Sequence, residues 1–185
     1  MGDSVGVRRG PVVVGLLLGA GVSVALGVYG RVHVPSYEAL PSFGFSSTDT
    51  FKAWLGSVVL VLVVAQAVTA LWMYGRLPGV AATPRALGRV HRATGFVAFV
   101  LSLPVAAYCL YGYGFAPAPF STRTLLHSLA GCAFYGAFAA KVVFVHTRGL
   151  PKWALPAAGA LLLTAVVVAW LTGALWLFSV AGLHL

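Results

Sequence analysis

Acidic residues are almost absent from this sequence. Asp3, Glu38 and Asp49 are the only three among 185 residues, and charged residues of both signs make up only 8% of the chain. Soluble domains carry about 25% charged residues, so the composition excludes an ordinary soluble domain. All three acids lie in polar segments, which leaves paired-carboxylate and Ser-His-Asp mechanisms with little basis.

Cysteine is also scarce. Cys109 and Cys132 are the only two, and both fall inside apolar runs. The sequence contains no Cys-x-x-Cys motif and no cluster of cysteine with histidine. We therefore expect neither a disulfide nor a metal site at these cysteines, and interpret them as packing residues.

Apolar residues are abundant, at 60% of the chain, and they are gathered in five long runs. About 20 consecutive apolar residues suffice for a helix to cross a bilayer. The first run is longer than the 7–15-residue core of a usual signal peptide, so we expect an uncleaved first span. The sequence predicts an all-α membrane bundle with one domain over residues 1–185, with spans at about 12–30, 51–74, 91–113, 122–147 and 153–178.

The net charge of +9 comes from basic residues in the segments between these runs. In this setting they are typical of topology determinants and of contacts to anionic lipid, so the predicted partner is the bilayer and not a nucleic acid. One face carries nine cations and the other three, which places the N-terminus in the cytoplasm and the C-terminus outside by the positive-inside rule. The cytoplasmic set is Arg8, Arg9, Arg76, Arg85, Arg89, Arg92, Lys141, Arg148 and Lys152; the external set is Arg31, Lys52 and Arg123.

Histidines near the ends of the predicted spans are the candidate functional residues. An ionisable residue inside a span is a functional-site hypothesis by default. His127 and His91 are each followed four residues later by a glycine, Gly131 and Gly95. That spacing puts ring and glycine on one helix face, where a flat ligand can approach the backbone. The pattern predicts haem held between histidines, whereas a helix-end histidine bonded to headgroups or backbone is the simpler alternative.

Predicted topology decides which histidines could share an iron. His91 and His146 belong to the cytoplasmic side, and His33 and His127 to the external side. Along one helix, His127 and His146 are separated by about 28 Å at 1.5 Å per residue. The four histidines therefore form two candidate metal-ligand pairs, one in each leaflet, as a path for electrons across the membrane requires.

Two further residues are expected to support the external pair. Arg123 precedes His127 by one turn, and Tyr108 is expected at the same depth, where it would hydrogen-bond the imidazole or ligate iron. The basic residues near the cytoplasmic pair could neutralise haem propionates, but the positive-inside rule explains them equally well.

Three other features concern helix packing. Gly15, Gly19, Ser23 and Gly27 recur every four residues, and this small-residue stripe predicts close approach of another helix or of a flat cofactor. Gln66, in the middle of the second run, is expected to bond to a neighbouring helix. Lys141 is expected to extend its ammonium to the cytoplasmic headgroups.

The segments Leu126–Gly131 (LHSLAG) and His91–Gly95 (HRATG) resemble helix motifs of ascorbate-type cytochromes b and ferric-reductase-like transmembrane domains. This resemblance implies one or two b-type haems. Such cytochromes often carry two ligand histidines on one helix, whereas the third run here has only His91, with Tyr108 at the second place. The whole chain also resembles an uncharacterised family of small bacterial multi-span proteins, through Lys52-x-Trp54-Leu55, Gln66, His91-Arg92-x-x-Gly95 and Leu150-Pro151-x-Trp153-x-Leu155-Pro156.

Together these patterns favour a b-type cytochrome-like protein of the bacterial cell membrane. It would pass electrons between a quinone or small reductant and an acceptor, such as a redox partner protein, across the membrane. The alternative is a cofactor-free subunit that anchors or assembles a larger complex. A transporter is less favoured because the sequence lacks broken helices in symmetric halves.

Overall fold

The computed structural model describes residues 9–36, 41–80, 82–117 and 120–183. Among them the regular structure is entirely helical, as the all-α prediction requires. Asp3, Arg8 and Glu38, which entered the sequence analysis, lie outside the described residues, as does His184. The helices are α1 (Arg9–Val32), α2 (Thr48–Met73), α3 (Leu87–Ala107), α4 (Thr122–Val145), α5 (Ala154–Trp170) and α6 (Trp176–Ala181).

Five of the described segments are long and apolar enough to cross a membrane: Gly10–Val32, Thr48–Met73, Leu87–Tyr113, Thr122–Val145 and Ala154–Ala181. The predicted number of spans is confirmed, and most boundaries shift by two to four residues. Many large apolar side chains are exposed, such as Leu17 (68%) and Phe96 (68%). Exposure of this kind suits a surface solvated by lipid tails. The chain is a multi-pass helical membrane protein.

Hydroxyl side chains begin two of the helices. Ser47 accepts a hydrogen bond from the Thr50 backbone N–H at the start of α2. Ser121 and Thr124 form a reciprocal capping box at the start of α4. Such caps satisfy backbone N–H groups that have no partner within the helix.

Two segments widen from α-helix to π-helix. The first, Tyr108–Tyr113, continues α3, and the second, Leu171–Leu175, joins α5 to α6. Pro104 lies four residues before the first, and its carbonyl accepts a hydrogen bond from the Tyr108 backbone N–H. The third span therefore widens about one turn after Pro104. π-helical turns inside α-helices are frequent at functional sites.

The helices form a ring in the order α1, α4, α5, α2, α3. Each packs against the next, and the π-helical segment after α3 returns to α1. The four pairs from α1 to α3 in this order run antiparallel, as Trp54 of α2 against Phe178 of α6 illustrates. The third span and α1 run parallel, because their C-terminal ends meet where the Phe115 backbone N–H donates to the Gly30 carbonyl at 2.7 Å. The core between α2, α3, α4 and α5 contains Val59, Val63, Ala98, Phe134, Ala137, Leu162, Ala165 and Val166.

The small-residue stripe of α1 forms the seam with α4. A Cβ on Gly19 would lie 2.6 Å from the Gly136 carbonyl oxygen, so the two backbones are already in contact. Ser23 donates a hydrogen bond to the Cys132 carbonyl at 3.0 Å. Close packing of small residues is the usual basis of helix association in lipid. The stripe is thus used inside the bundle and does not face outward toward a partner.

Gln66 joins α2 to α3, as predicted. Its amide N–H groups donate to the His91 carbonyl at 2.7 Å and to the Thr94 hydroxyl. A Cβ on Gly95 would lie 2.9 Å from the Gln66 amide oxygen. Gly95 therefore makes room for the glutamine side chain.

Candidate functional site

A cavity of about 390 Å³ opens between α2, α3, α4 and α5 at the predicted external end of the bundle, with Leu26 of α1 contributing to its wall. Its volume falls in the 300–1,000 Å³ range typical of small-molecule and cofactor sites. Most of the wall is apolar, and the polar groups are few. Both π-helical segments contribute residues, among them Cys109 and Tyr113 from the first and Gly173 from the second.

His127, on the second turn of α4, is held in this wall by α5. Its Nδ1 lies 3.0 Å from the Ala169 carbonyl oxygen and 3.3 Å from the Thr172 hydroxyl. Because that carbonyl can only accept, the contact places a proton on Nδ1 and leaves the lone pair on Nε2. The ring also lies against Gly173, where a Cβ would come within 2.6 Å of its Cε1 atom. The histidine is half-buried and fixed in orientation by the carbonyl.

Cys109 is the residue that faces the other nitrogen of this ring. Its Sγ lies 3.9 Å from His127 Nε2. Cys109 and Cys132 are both free cysteines. Sequence reasoning interpreted Cys109 as a packing residue and missed its contact with His127. The sequence did contain a signal for this contact: Cys109 follows Tyr108, which the sequence analysis placed at the same membrane depth as His127.

Tyr108 itself points elsewhere. Its hydroxyl donates to the Pro41 carbonyl at 2.7 Å, and its ring lies edge-on to Phe51. The prediction that Tyr108 bonds to His127 is therefore wrong, although the depth was correct to within one residue. No described contact brings this hydroxyl into the cavity wall.

An ion pair and a tyrosine line the cavity near the start of α2. Lys52 Nζ lies 2.8 Å from Asp49 Oδ1, and the lysine side chain is only 12% exposed. Tyr113 donates to the same carboxylate oxygen at 3.0 Å, and Lys52 also lies over the Tyr113 ring, 4.1 Å from its centroid. The cluster ties the start of α2 to the end of the third span.

Arg123 also lines the cavity, one turn before His127, as predicted. It donates to the Thr172 carbonyl at 2.7 Å and stacks on Trp176, with its guanidinium carbon 3.6 Å from the ring centroid. The ionised side chains in the wall are Asp49, Lys52 and Arg123. Two cations against one anion leave the wall with one net positive charge. In a site of low dielectric this charge favours an anionic occupant.

The two glycines singled out by the His-x-x-x-Gly pattern differ in their surroundings. A Cβ on Gly131 would meet no atom within 4 Å, and Gly131 lines the cavity. The space at Gly95 is filled by Gln66. The pattern therefore marks open space next to His127, whereas at His91 it marks a helix contact.

The cytoplasmic pair of histidines is not assembled in the structure. His91 Nδ1 lies 2.7 Å from the Thr69 hydroxyl of α2. His146 is exposed at the end of α4, and its Nδ1 bonds to the Val142 carbonyl at 2.8 Å. The rings thus have separate partners, and each fits the simpler alternative of a histidine bonded near a helix end.

His33 is likewise separate from His127. Its ring stacks between Tyr29 and Tyr111, at centroid distances of 5.1 and 4.9 Å. These neighbours are not the groups that hold His127, so the expected external pair is not formed. Of the four candidate ligand histidines, His127 is the one in the cavity wall. Over the described ranges, no three His, Cys, Asp or Glu side chains gather into a metal-binding group.

Fold and site together define a multi-pass helical membrane protein with a mainly apolar cavity near one end of its bundle. Residues 12–185 match the model of a family of unknown function, DUF6529, and the chain belongs to that family. The match agrees with the expected likeness to an uncharacterised family, and it brings no activity with it. No curated protein and no solved structure matches the chain.

Proposed function

We propose that this chain is a membrane electron-transfer protein that holds one haem b in the cavity, with His127 as an iron ligand. The orientation of His127 carries the proposal. Its Nδ1 is bonded to the Ala169 carbonyl, and its Nε2 faces away from that bond. Metal-ligating histidines almost always donate one ring N–H to a carbonyl or carboxylate and coordinate through the other nitrogen.

Three properties of the cavity fit a haem group. Its volume of about 390 Å³ lies within the 300–1,000 Å³ range of cofactor pockets. Gly131 leaves open space one turn after His127. The excess positive charge from Lys52 and Arg123 over Asp49 suits the propionates that a b-type haem carries. Haem, when bound, supplies one-electron chemistry, and the protein supplies ligation, burial and charge.

The proposal is narrower than the sequence-based prediction in one respect. Of the four candidate histidines, only His127 contributes to the wall of the described cavity. We therefore propose one haem near the predicted external face, and not a two-haem path across the membrane. A quinone in the outer leaflet or a small reductant in the external solution is the proposed electron donor, because each could reach a site near that face.

An absorption spectrum of the detergent-purified protein, expressed with ample haem supply, tests the proposal. We expect a Soret band and α and β bands that sharpen on reduction with dithionite. His127→Ala should remove the haem or convert it to a high-spin form, because the iron loses a strong ligand. Gly131→Leu should lower haem content by filling the space that the macrocycle needs, although leucine itself favours the helix.

His146→Ala is the matched control, because it removes an exposed histidine from the same helix. Its spectrum should equal that of the unmodified protein, as should that of His184→Ala. Protein that elutes as a single monodisperse species but never shows a Soret band would contradict the haem proposal. That result would favour the cofactor-free anchor or assembly subunit.

A further inference from the structure

The contact between Cys109 and His127 joins two helices across the cavity wall. Cys109 belongs to the π-helical segment after α3, and His127 to α4. The distance from Sγ to Nε2 is 3.9 Å. This is the nitrogen that remains free once Nδ1 has bonded to Ala169. The sulfur therefore lies on the side of the ring from which a metal would bind.

Bond lengths show what this separation can accommodate. In zinc sites, which serve here as the guide, metal–nitrogen bonds to histidine are about 2.0–2.1 Å long and metal–sulfur bonds to cysteine about 2.3 Å. A nitrogen and a sulfur on opposite sides of one metal are thus about 4.3 Å apart. The observed 3.9 Å differs from that by a few tenths of an ångström, which a small side-chain adjustment supplies. We propose that Cys109 is the second axial ligand of the haem iron, opposite His127, an assignment that rests on the proposed function.

The number of available donors favours a haem over a bare metal ion at this pair. Structural zinc sites need four protein ligands, and within the described part of the chain no third His, Cys, Asp or Glu joins Cys109 and His127. The haem macrocycle itself supplies four nitrogen ligands to the iron, so the protein needs to supply only two ligands. The cavity is also much larger than a single ion requires. Histidine and cysteinate are both known ligands of haem iron.

A bound metal would itself set the ionisation of Cys109. The thiolate is the form that ligates metals, and a thiol that coordinates a metal cation is deprotonated by that charge. The one net positive charge of the wall, from Lys52 and Arg123 against Asp49, then remains for the propionates.

The backbone supports the same assignment. Cys109 lies in the first π-helical segment, and the groups beside His127 at Thr172 and Gly173 lie in the second. Two uncommon widenings of helices thus meet at one histidine. Because π-helical turns are frequent at functional sites, their convergence supports a functional role for this part of the wall.

The experiment compares Cys109→Ala with Cys132→Ala in the haem-loaded, full-length protein. Cys132 is the matched control, since it is the other cysteine of the chain and its Sγ packs toward α1, 4.0 Å from a Cβ built on Gly27. The unmodified protein and Cys132→Ala should both show the narrow electron paramagnetic resonance spectrum of low-spin thiolate-ligated ferric haem. Cys109→Ala should lose that spectrum. Cys109→His should replace it with a low-spin bis-imidazole spectrum, which shows that the variant folds and that position 109 reaches the iron.

The outcomes separate the two proposals. A Soret band in the unmodified protein with no thiolate signature, unchanged in Cys109→Ala, overturns the ligand assignment and leaves the haem proposal standing. Absence of haem from well-folded unmodified protein overturns both. One bound copper or zinc per chain, measured by metal analysis in place of haem and lost in Cys109→Ala, also overturns both and identifies a site for a single ion.

Discussion

Gly173 lies against the ring of His127, so closely that a Cβ at position 173 would come within 2.6 Å of Cε1 and 3.0 Å of Nδ1. A methyl group here must displace the ring from the Ala169 carbonyl. We expect Gly173→Ala to destabilise the fold by about 1–3 kcal/mol, as over-packing usually does, and to lower haem content. Thermal unfolding and the ratio of Soret to protein absorbance measure the two effects. The control is Gly159→Ala on α5, where no atom lies within 4 Å of a Cβ; this variant should be neutral or slightly stabilising. Full haem content in Gly173→Ala would show that the position of the His127 ring is not critical for haem binding.

A second prediction concerns the seam between α1 and α4. Gly19→Ala should destabilise the bundle by about 1–3 kcal/mol, because its Cβ would meet the Gly136 carbonyl oxygen at 2.6 Å. Gly21→Ala on the same helix should change little, since nothing lies within 4 Å of its Cβ. Unfolding in detergent, followed by circular dichroism, compares the two variants. Equal unfolding stabilities of Gly19→Ala and Gly21→Ala would mean that α1 and α4 can accommodate a methyl group between them.

Orientation in the membrane is the third prediction. The excess of basic residues predicts that the N-terminus lies in the cytoplasm and, with five spans, that the C-terminus lies outside. Reporter fusions in the 31–50 loop and after Leu185 should both give external signals. A cytoplasmic signal from the C-terminal fusion would be inconsistent with this topology and would move the cavity to the other face.

Lys141 gives the fourth prediction. It lies half-buried on α4, little more than one turn before the helix ends at Val145. Its long stem can run along the helix while the ammonium reaches the headgroups. Lys141→Met should therefore change expression and thermal stability little. If the variant folded normally but lost redox activity, Lys141 would instead be a contact for a propionate or a quinone.

Much of the fold follows from composition and simple periodicity. Long apolar runs predicted the spans, because no other regular structure satisfies the backbone in lipid without closing a barrel. Small residues four apart predicted the α1 seam, and a polar amide in mid-span predicted the Gln66 bonds. These features depend on local chemistry, which one sequence contains.

The site was predicted less well because it depends on which way side chains face. Tyr108 and Cys109 are adjacent, and nothing in an apolar run shows which of them points toward α4. In a π-helical segment, the residues that share one face of the helix are not those that share it in an α-helix. No sequence pattern announces these segments, apart from Pro104 upstream of the first. Gly95 and Gly131 occur in matching motifs, yet only packing shows that one space is filled and the other open.

The seam between α1 and α4 also has a consequence for how the protein is made. Ser23 and Cys132, which bond across it, are 109 residues apart in the chain. The ribosome must therefore deliver three more spans before the small-residue face of α1 finds its partner. Until then α1 lies in the bilayer, or against the insertion machinery, without the contact between its small-residue face and α4. Closure of the ring is thus a late event in biogenesis, and chains truncated before α4 would leave α1 without its main contact.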